Sequence, residues 1–160
     1  MRFEYVKEAV TVGKVLVIYH SNTGNTEAMA KAVAEGASYV PGTTVVTKKA
    51  LEATAQDVLG ADAVAFGCPT NFAYMAGAMK HFFDTSFFSL REKVTDKPYV
   101  AFVNTGRNIP DALNALERIC GENLKLKKAA EQNALVHGKP TPEALTKCRD
   151  LGTALAQKAA

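Results

Sequence analysis

The chain has 160 residues, 48% apolar and 22% charged, which suits one globular domain with a substantial core. The formal net charge of +3 is small and diffuse, with only short basic pairs such as Lys48-Lys49, which argues against nucleic-acid binding. No apolar run reaches the roughly 18 residues of a membrane span, and the charges of Arg2, Glu4 and Lys7 argue against a secretory leader.

The cysteines are few and widely spaced. Cys68, Cys120 and Cys148 are odd in number and form no CxxC or iron–sulfur spacing. We therefore expect free thiols in a reducing, cytoplasmic compartment. The three histidines are equally scattered, so no metal site is predicted.

Strands and helices alternate along the first half of the chain. Lys14–Tyr19 is a continuous apolar run, typical of a strand buried on both faces. Helical periodicity follows over Thr26–Gly36, where the final glycine suits the C-cap region. The β-branched segment Thr43–Lys48 and the apolar segment Asp62–Cys68 predict the next two strands, and Thr54–Leu59 between them is at most a short helix.

The alternation continues in the second half. Tyr74–Phe88 is predicted as the third helix, and Pro98–Val103 as the fourth strand. Pro110 suits position N1 of a further helix, which we expect to end near Cys120-Gly121. Thr141, followed by Pro and Glu, has the residues of an N-cap for a last helix.

The fifth strand has two rival positions, Leu124–Lys127 and Ala134–Val136, and the sequence does not choose between them. This element order predicts a three-layer α/β fold with a doubly wound, five-stranded parallel sheet of order 2-1-3-4-5. We expect residues 1–160 to form a single domain, with residues 1–13 as an N-terminal extension of unknown role. A ligand of such a sheet lies beyond the carboxyl ends of the strands, where strands 1 and 3 diverge.

The most informative motif, His20–Thr26, joins the first strand to the first helix. It brings three hydroxyls, two amides and backbone N–H groups to a helix N-terminus, which favours an anion. It contains no Lys or Arg, so a phosphate would be held by dipoles alone. Neither a Walker loop nor a GxGxxG fingerprint is present. The alternative interpretation is an ordinary polar turn that caps a helix.

Three segments carry a resemblance to a known family. Residues 17–30 resemble the FMN phosphate loop of flavodoxins, in which Ser-x-Thr-Gly-Asn-Thr follows the first strand. Residues 67–80 resemble the loop after strand 3 in the quinone-reductase branch of the family, which carries Pro-Thr-x-Phe. The third segment, residues 103–108, falls where the family's other isoalloxazine loop lies and is the weakest match.

The resemblance implies a flavodoxin-like fold and one non-covalently bound FMN. Because the flavin carries the redox chemistry, no catalytic side chain is required. The resemblance implies three groups of residues that bind the cofactor. The phosphate is implied to be bound by Ser21, Asn22, Thr23, Gly24, Asn25 and Thr26, and the ring and ribityl chain by Pro69, Thr70, Asn71, Phe72, Ala73 and Tyr74. The other side of the ring is implied to be closed by Asn104, Thr105, Gly106 and Arg107.

Two functions are compatible with this resemblance. The first is an FMN-dependent reductase that moves electrons from NAD(P)H to a quinone or similar acceptor. The alternative is a flavodoxin-type electron-transfer protein that serves a redox partner and has no small-molecule substrate of its own. Electron-carrier flavodoxins are strongly acidic, whereas this chain is net positive. The resemblance leaves the donor, the acceptor and a homodimer open.

Several residues near the ring loops have rival interpretations. Cys68 is interpreted as a small buried apolar residue rather than a redox thiol. Phe72 and Tyr74 either flank the ring or pack against the third helix, and Arg107 either places a positive charge near the ring or is solvated. The phenylalanine pairs Phe82-Phe83 and Phe87-Phe88 are interpreted as core.

Phe72 also bears on the choice between the two functions. In one-electron flavodoxins, a glycine in this loop allows a peptide flip that stabilises the flavin semiquinone. An ungapped alignment places Phe72 at that glycine, and a bulky residue disfavours a positive φ. We therefore expect the flip to be costly and two-electron transfer to be preferred.

Overall fold

The computed structural model of the chain describes residues 13–160, and the other twelve lie outside this account. The described strands are β1 (Lys14–Tyr19), β2 (Thr44–Lys49), β3 (Ala63–Asn71), β4 (Tyr74–Met75), β5 (Pro98–Thr105), β6 (Lys127–Lys128) and β7 (Ala134–His137). The helices are α1 (Asn25–Ser38), α2 (Ala55–Leu59), α3 (Gly77–Leu90), α4 (Asp111–Arg118) and α5 (Pro142–Ala159), with a π-helix over Ile119–Asn123.

The sheet confirms the predicted doubly wound order. Its strands run β2-β1-β3-β5, with β6 and β7 both beside β5, and all these pairs are parallel. The short β4 is an antiparallel addition to the carboxyl end of β3. The described sheet therefore has seven strands rather than the five expected, although the five positions and their order are as predicted.

Of the two rival segments for the fifth strand, Ala134–Val136 lies within β7, whereas Leu124–Lys127 contributes only Lys127, the first residue of β6. Strand β6 pairs with Pro98 and Tyr99, whereas β7 pairs with β5 from Phe102 onward. Between the two pieces, the side-chain Oδ1 of Asn133 accepts a hydrogen bond from the Ala101 backbone N–H at 2.8 Å. The amide side chain thus replaces a missing strand residue, so the fifth position can break without leaving that donor unpaired.

The core lies on both faces of the sheet, as expected for parallel strands. Along β1, Leu16 and Ile18 face α2, α3 and α4, and Val15 and Val17 face α1 and α5. The largest buried side chains include Phe66, which packs against Phe82 and Phe83 of α3 with ring centroids 6.1 and 5.1 Å away. Those two phenylalanines are therefore core residues, as predicted.

Helices α1 and α5 cross at two glycines. A Cβ on Gly36 would lie 1.8 Å from the Arg149 carbonyl oxygen, and a Cβ on Gly152 would lie 1.9 Å from the Val33 carbonyl oxygen. The prediction that α1 ends around Gly36 is therefore wrong: the helix continues to Ser38, and Gly36 serves the close helix crossing. This contact fixes the helix that follows β1 against the sheet.

Element boundaries near the carboxyl edge of the sheet differ from prediction. Strand β3 continues to Asn71 and β5 to Thr105, because Pro69 and Asn104 still lie opposite one another in register. Tyr74, predicted to begin a helix, instead lies in β4, and α3 begins at Gly77. Pro110 is the N-cap residue of α4 rather than N1.

Two further expectations concern the N-terminal extension and the absence of a membrane-spanning helix. The predicted N-terminal extension falls on residues 1–12, outside the described part, and on Gly13, whose carbonyl accepts a hydrogen bond from the Thr44 N–H at 2.9 Å. None of the helices within residues 13–160 combines the length and apolar character needed to cross a bilayer.

Candidate functional site

The loop after β1 leaves backbone donors available at the start of α1. Gly24 is the N-cap residue with φ of 95°, a left-handed conformation that glycine adopts readily. No side chain caps the helix, although Thr54 and Thr141 cap α2 and α5. The first-turn N–H groups of α1 are thus free of a side-chain acceptor, which is the condition for binding an anion there.

Side chains of this loop connect it to both neighbouring strand ends. His20 Nε2 lies 2.7 Å from Asn22 Oδ1, and Asn22 Nδ2 donates to Asn71 Oδ1 at 3.3 Å. On the other side, Asn25 Nδ2 donates to Asn104 Oδ1 at 3.4 Å. The loop is therefore joined to the ends of β3 and β5 by two amide–amide contacts.

The loop after β3 is a tight hairpin with an unusual turn. Thr70 pairs with Met75 and Asn71 with Tyr74, so Phe72 and Ala73 are the two turn residues. Their φ angles are 52° and 58°, the positive values that a type I′ turn requires. Residues with a Cβ are disfavoured there by about 1–2 kcal/mol each.

The conformation of Phe72 contradicts one premise of the sequence analysis. We expected its bulk to disfavour a positive φ, yet the hairpin imposes that conformation, because two paired strands joined by two residues need it at both positions. Its side chain is fully exposed, at 104% of the reference area, and makes no packing contact with α3. The expected cost of a positive φ at Phe72 therefore gives no reason to prefer two-electron transfer.

The loop after β5 is held by hydrogen bonds on two sides. The Thr105 hydroxyl bonds to the Arg107 carbonyl and accepts from the Arg107 N–H, and His137 Nε2 donates to the Gly106 carbonyl at 2.9 Å. Asn104 Nδ2 donates to the carbonyls of Val136 and Gly138 at 3.1 and 2.7 Å. The Asn104 amide is thus occupied in joining α1, β5 and β7.

A cleft of about 470 Å³ separates the β3 hairpin from the β5 loop. Its lining consists of Thr70, Phe72, Ala73, Thr105, Gly106, Arg107 and Ile109. Thr70 Oγ1 is buried and has no hydrogen-bond partner, the one such side-chain atom among residues 13–160. A buried hydroxyl left unpaired is costly, so a ligand with a polar group would satisfy it.

These features lie where the topology predicts a ligand. The anion loop follows β1, and the cleft lies between the ends of β3 and β5, next to the point where the chain reverses its direction across the sheet. The residues fit FMN in two respects: unpaired donors for a phosphate and a cleft with an orphaned hydroxyl for a polar ring.

The predicted site residues fall into three groups. Ser21 to Thr26 form the anion loop, with Thr26 buried at 1% exposure and the Ser21 hydroxyl accepting from the Gly24 N–H at 3.1 Å. Most predicted ring residues line the cleft. Pro69, Asn71 and Asn104 do not, and Tyr74 lines a separate cavity of about 340 Å³, beside Phe87 and Phe88. The interpretation of Phe87 and Phe88 as core is wrong for Phe88, which is 79% exposed.

Sequence reasoning missed two contributors. Ile109 lines the cleft, and only its proximity to the predicted loop could have indicated it. His137 supports the Gly106 carbonyl from β7, across 31 residues of sequence, and no local pattern signals such a contact. Both depend on how β5, β7 and α4 pack.

The thiol of the cysteine next to the cleft is unreactive because it is buried. Cys68 is completely buried in β3, and burial raises the pKa of its thiol to about 11. The nucleophilic thiolate is therefore scarce at neutral pH. Cys120 and Cys148 are likewise free and buried. No cluster of three or more potential metal ligands occurs within residues 13–160.

Fold and site together define a doubly wound α/β protein in which an uncapped helix N-terminus and a cleft meet at the switch point of the sheet. The sequence profile of the Flavodoxin family matches residues 17–103, and the chain therefore belongs to the flavodoxin family. Membership implies FMN as the cofactor.

Similar proteins agree with this family. A flavodoxin of Aquifex aeolicus is 47% identical over 95 residues, which are 59% of this chain and 51% of that protein, so the match spans about half of the relative's length. A flavodoxin structure from the domain Archaea superposes with a TM-score of 0.80 at 26% identity, covering 91% of this chain and 98% of the other. A WrbA-like flavodoxin of Agrobacterium tumefaciens gives a TM-score of 0.75 at 28% identity, with 92% and 97% coverage.

Proposed function

We propose that this chain binds one FMN without a covalent bond and transfers electrons through it. The observation that carries the proposal is the combination of an uncapped α1 N-terminus with an adjoining cleft that holds an orphaned hydroxyl. Family membership and the relatives named flavodoxin support it.

Each part of the site has a separate task in this proposal. The loop Ser21–Thr26 binds the phosphate through first-turn N–H groups and hydroxyls, without a cationic side chain. Residues 69–73 and 104–107 enclose the ring, with Thr70 Oγ1 as a hydrogen-bonding group at the cleft wall. The bound flavin would supply the redox chemistry, and the protein supplies position, hydrogen bonds and charge.

Two pairs of side-chain amides that bridge the loops act as positioning groups. Asn22–Asn71 and Asn25–Asn104 join the phosphate loop to the two sides of the cleft. Asn104 has both of its amide hydrogens committed to backbone carbonyls. We therefore assign Asn104 to holding the site together rather than to a direct side-chain bond with the ring.

A second candidate is a reductase that passes electrons from NAD(P)H to a quinone or similar acceptor. The fully exposed Phe72 at the cleft mouth offers an apolar surface on which a planar acceptor could stack. The likeness to a WrbA-like flavodoxin is compatible with this candidate. In this candidate, NAD(P)H is the electron donor, a quinone or similar molecule is the acceptor, and the protein forms a homodimer.

The compartment, the partners and the domain organisation are proposed on similar grounds. Three free, buried thiols support a reducing, cytoplasmic location. A small, diffuse net charge of +3 supports a redox partner or small acceptor rather than a nucleic acid. One sheet runs through the described residues, which supports a single domain.

In the first step of the test, apoprotein is titrated with FMN, and binding is monitored by flavin fluorescence and visible absorption. We expect stoichiometric binding and quenched fluorescence. The loaded protein is then reduced with dithionite under anaerobic conditions and mixed with a one-electron acceptor protein such as cytochrome c. Reoxidation within the mixing time supports electron transfer, and failure to bind FMN would overturn the proposal.

A parallel assay decides between the two candidates. NADH and NADPH are each added to the FMN-loaded protein, with and without a soluble benzoquinone. Catalytic oxidation of either nucleotide that depends on the quinone would establish the reductase. Reduction by dithionite without any response to the nucleotides would leave the electron-transfer protein as the function.

A further inference from the structure

The charge of the cleft bears on how it would hold a reduced flavin. The segments that enclose it, residues 69–76 and 104–110, contain no Asp or Glu. Arg107 is their sole residue with a charged side chain at neutral pH. Asp111 follows on the first turn of α4, and Lys80 of α3 is neutralised by Asp84 at 2.6 Å. The cleft itself therefore carries one positive charge.

The backbone of Arg107 is fixed rather than free. The Thr105 hydroxyl contacts both the Arg107 carbonyl and the Arg107 N–H, and the Gly138 N–H donates to the Thr105 carbonyl at 2.9 Å. His137 binds the carbonyl of the intervening Gly106. Two hydrogen bonds from His137 and Gly138 thus anchor the segment 105–107 at the cleft wall, and two within the segment fix its turn.

We propose that Arg107 sets the reduction potential of the bound flavin by stabilising its fully reduced, anionic form. The proposal rests on the proposed FMN site. Two electrons and one proton convert the oxidised, neutral ring into a ring with one negative charge. A guanidinium carries a full positive charge. Arg107 is an exposed residue of the cleft lining, so its attraction to the new negative charge is present but partly screened by solvent and salt. It interacts less with the neutral oxidised ring.

The proposal therefore predicts a difference between two affinities. Arg107 should increase binding of the reduced flavin more than binding of the oxidised flavin. Through the thermodynamic cycle, tighter binding of the reduced form raises the midpoint potential relative to free FMN. A tenfold change in the affinity ratio corresponds to about 30 mV for a two-electron couple.

The experiment compares four FMN-loaded proteins: unmodified, Arg107→Gln, Arg107→Lys and Arg91→Gln. Oxidised FMN affinity is measured by fluorescence titration, and midpoint potentials by anaerobic equilibration with reference dyes. Arg91 is an exposed arginine beyond the C-terminus of α3, so Arg91→Gln removes an equal charge outside the two cleft segments.

In Arg107→Gln we expect the reduced-to-oxidised affinity ratio to fall about tenfold, a potential about 30 mV more negative. Arg107→Lys should stay within about threefold of the unmodified ratio, and Arg91→Gln should not differ from it. The effect should diminish at high salt, because exposed charges are screened.

Several outcomes would overturn the inference. An unchanged potential in Arg107→Gln would do so, as would an equal shift in Arg91→Gln, which would indicate net charge alone. An equal loss of oxidised and reduced affinity would make Arg107 a general FMN contact. Failure of the unmodified protein to bind FMN would overturn the proposed function as well, whereas binding with an unmoved potential would overturn only the role of Arg107.

Discussion

The phosphate loop and the cleft segments of this protein are built in different ways. Residues 20–26 form a continuous link between β1 and α1, and their conformation depends on local features such as the positive φ of Gly24. The cleft joins two segments more than thirty residues apart, and its turn holds Phe72 and Ala73 in positive-φ conformations without glycine. The proposed anion site is thus formed mainly by one continuous segment, whereas the proposed ring site exists only once the sheet is assembled.

The comparison is tested most severely by removing the phosphate from the ligand. We expect riboflavin to bind at least about 30-fold more weakly than FMN, because two or three donors would lose a charged acceptor at about 1–3 kcal/mol each. Fluorescence titration of apoprotein with both flavins measures this. The control is the riboflavin titration repeated with inorganic phosphate. Phosphate bound in the loop should supply the missing acceptor and so recover part of the lost riboflavin affinity. Equal affinities would mean that the loop is only a polar turn.

Gly24 tests whether the loop depends on one backbone conformation. Gly24→Val should weaken FMN by about 2–3 kcal/mol, since a β-branched side chain disfavours a positive φ and would turn the first-turn N–H groups away. An added Cβ has no neighbour within 4 Å, so the effect would come from backbone strain rather than a clash. Gly24→Asn is the matched control, because Asn tolerates this region. Normal FMN binding by Gly24→Val would show that the left-handed turn is dispensable.

The difference between the two regions also explains what the sequence could predict. The order of the sheet follows from apolar strand runs and helical periodicity, and the anion loop follows from residues within seven positions of each other. The β3 hairpin was missed because Phe72-Ala73 lacks the Asn-Gly or Gly-Gly residues that normally mark a type I′ turn. Pairing of Asn71 with Tyr74 imposed the turn despite its local cost.

Non-local contacts account for the other differences. The split fifth strand depends on Asn133, whose side chain reaches Ala101 across 32 residues. The support of Gly106 by His137 has the same character. A single sequence shows neither contact, because each residue has an ordinary local environment and becomes meaningful only beside its distant partner.

Thr26 separates a hydroxyl effect from a packing effect within the loop. The residue is buried at the start of α1, so Thr26→Val keeps the side-chain shape and removes only the hydroxyl. We expect Thr26→Val to lose about 1.5–3 kcal/mol of FMN affinity, the usual range for a hydrogen bond to a charged group. Thr26→Ser, which retains the hydroxyl, should lose less affinity but more apoprotein stability. Isothermal titration and thermal unfolding measure the two effects, and the reverse ranking in affinity would assign Thr26 to packing alone.

The smallest effect concerns Phe72, where a substitution that relieves backbone strain should stabilise the apoprotein but weaken FMN binding. Phe72→Gly relieves a left-handed conformation costing about 1–2 kcal/mol, and the glycine adds unfolded-chain entropy that offsets about 0.5–1 kcal/mol. Since the fully exposed ring contributes no burial, the apoprotein should be unchanged or more stable by up to about 1.5 kcal/mol. FMN affinity should fall if the ring packs on the flavin. Phe88→Gly is the contrast, because that exposed phenylalanine lies within α3 and its replacement by glycine should destabilise the helix by about 0.5 kcal/mol. Urea unfolding of the apoproteins distinguishes the two. A marked loss of apoprotein stability in Phe72→Gly would show that Phe72 stabilises the hairpin, and the contrast between a relaxed phosphate loop and a strained cleft would then be wrong.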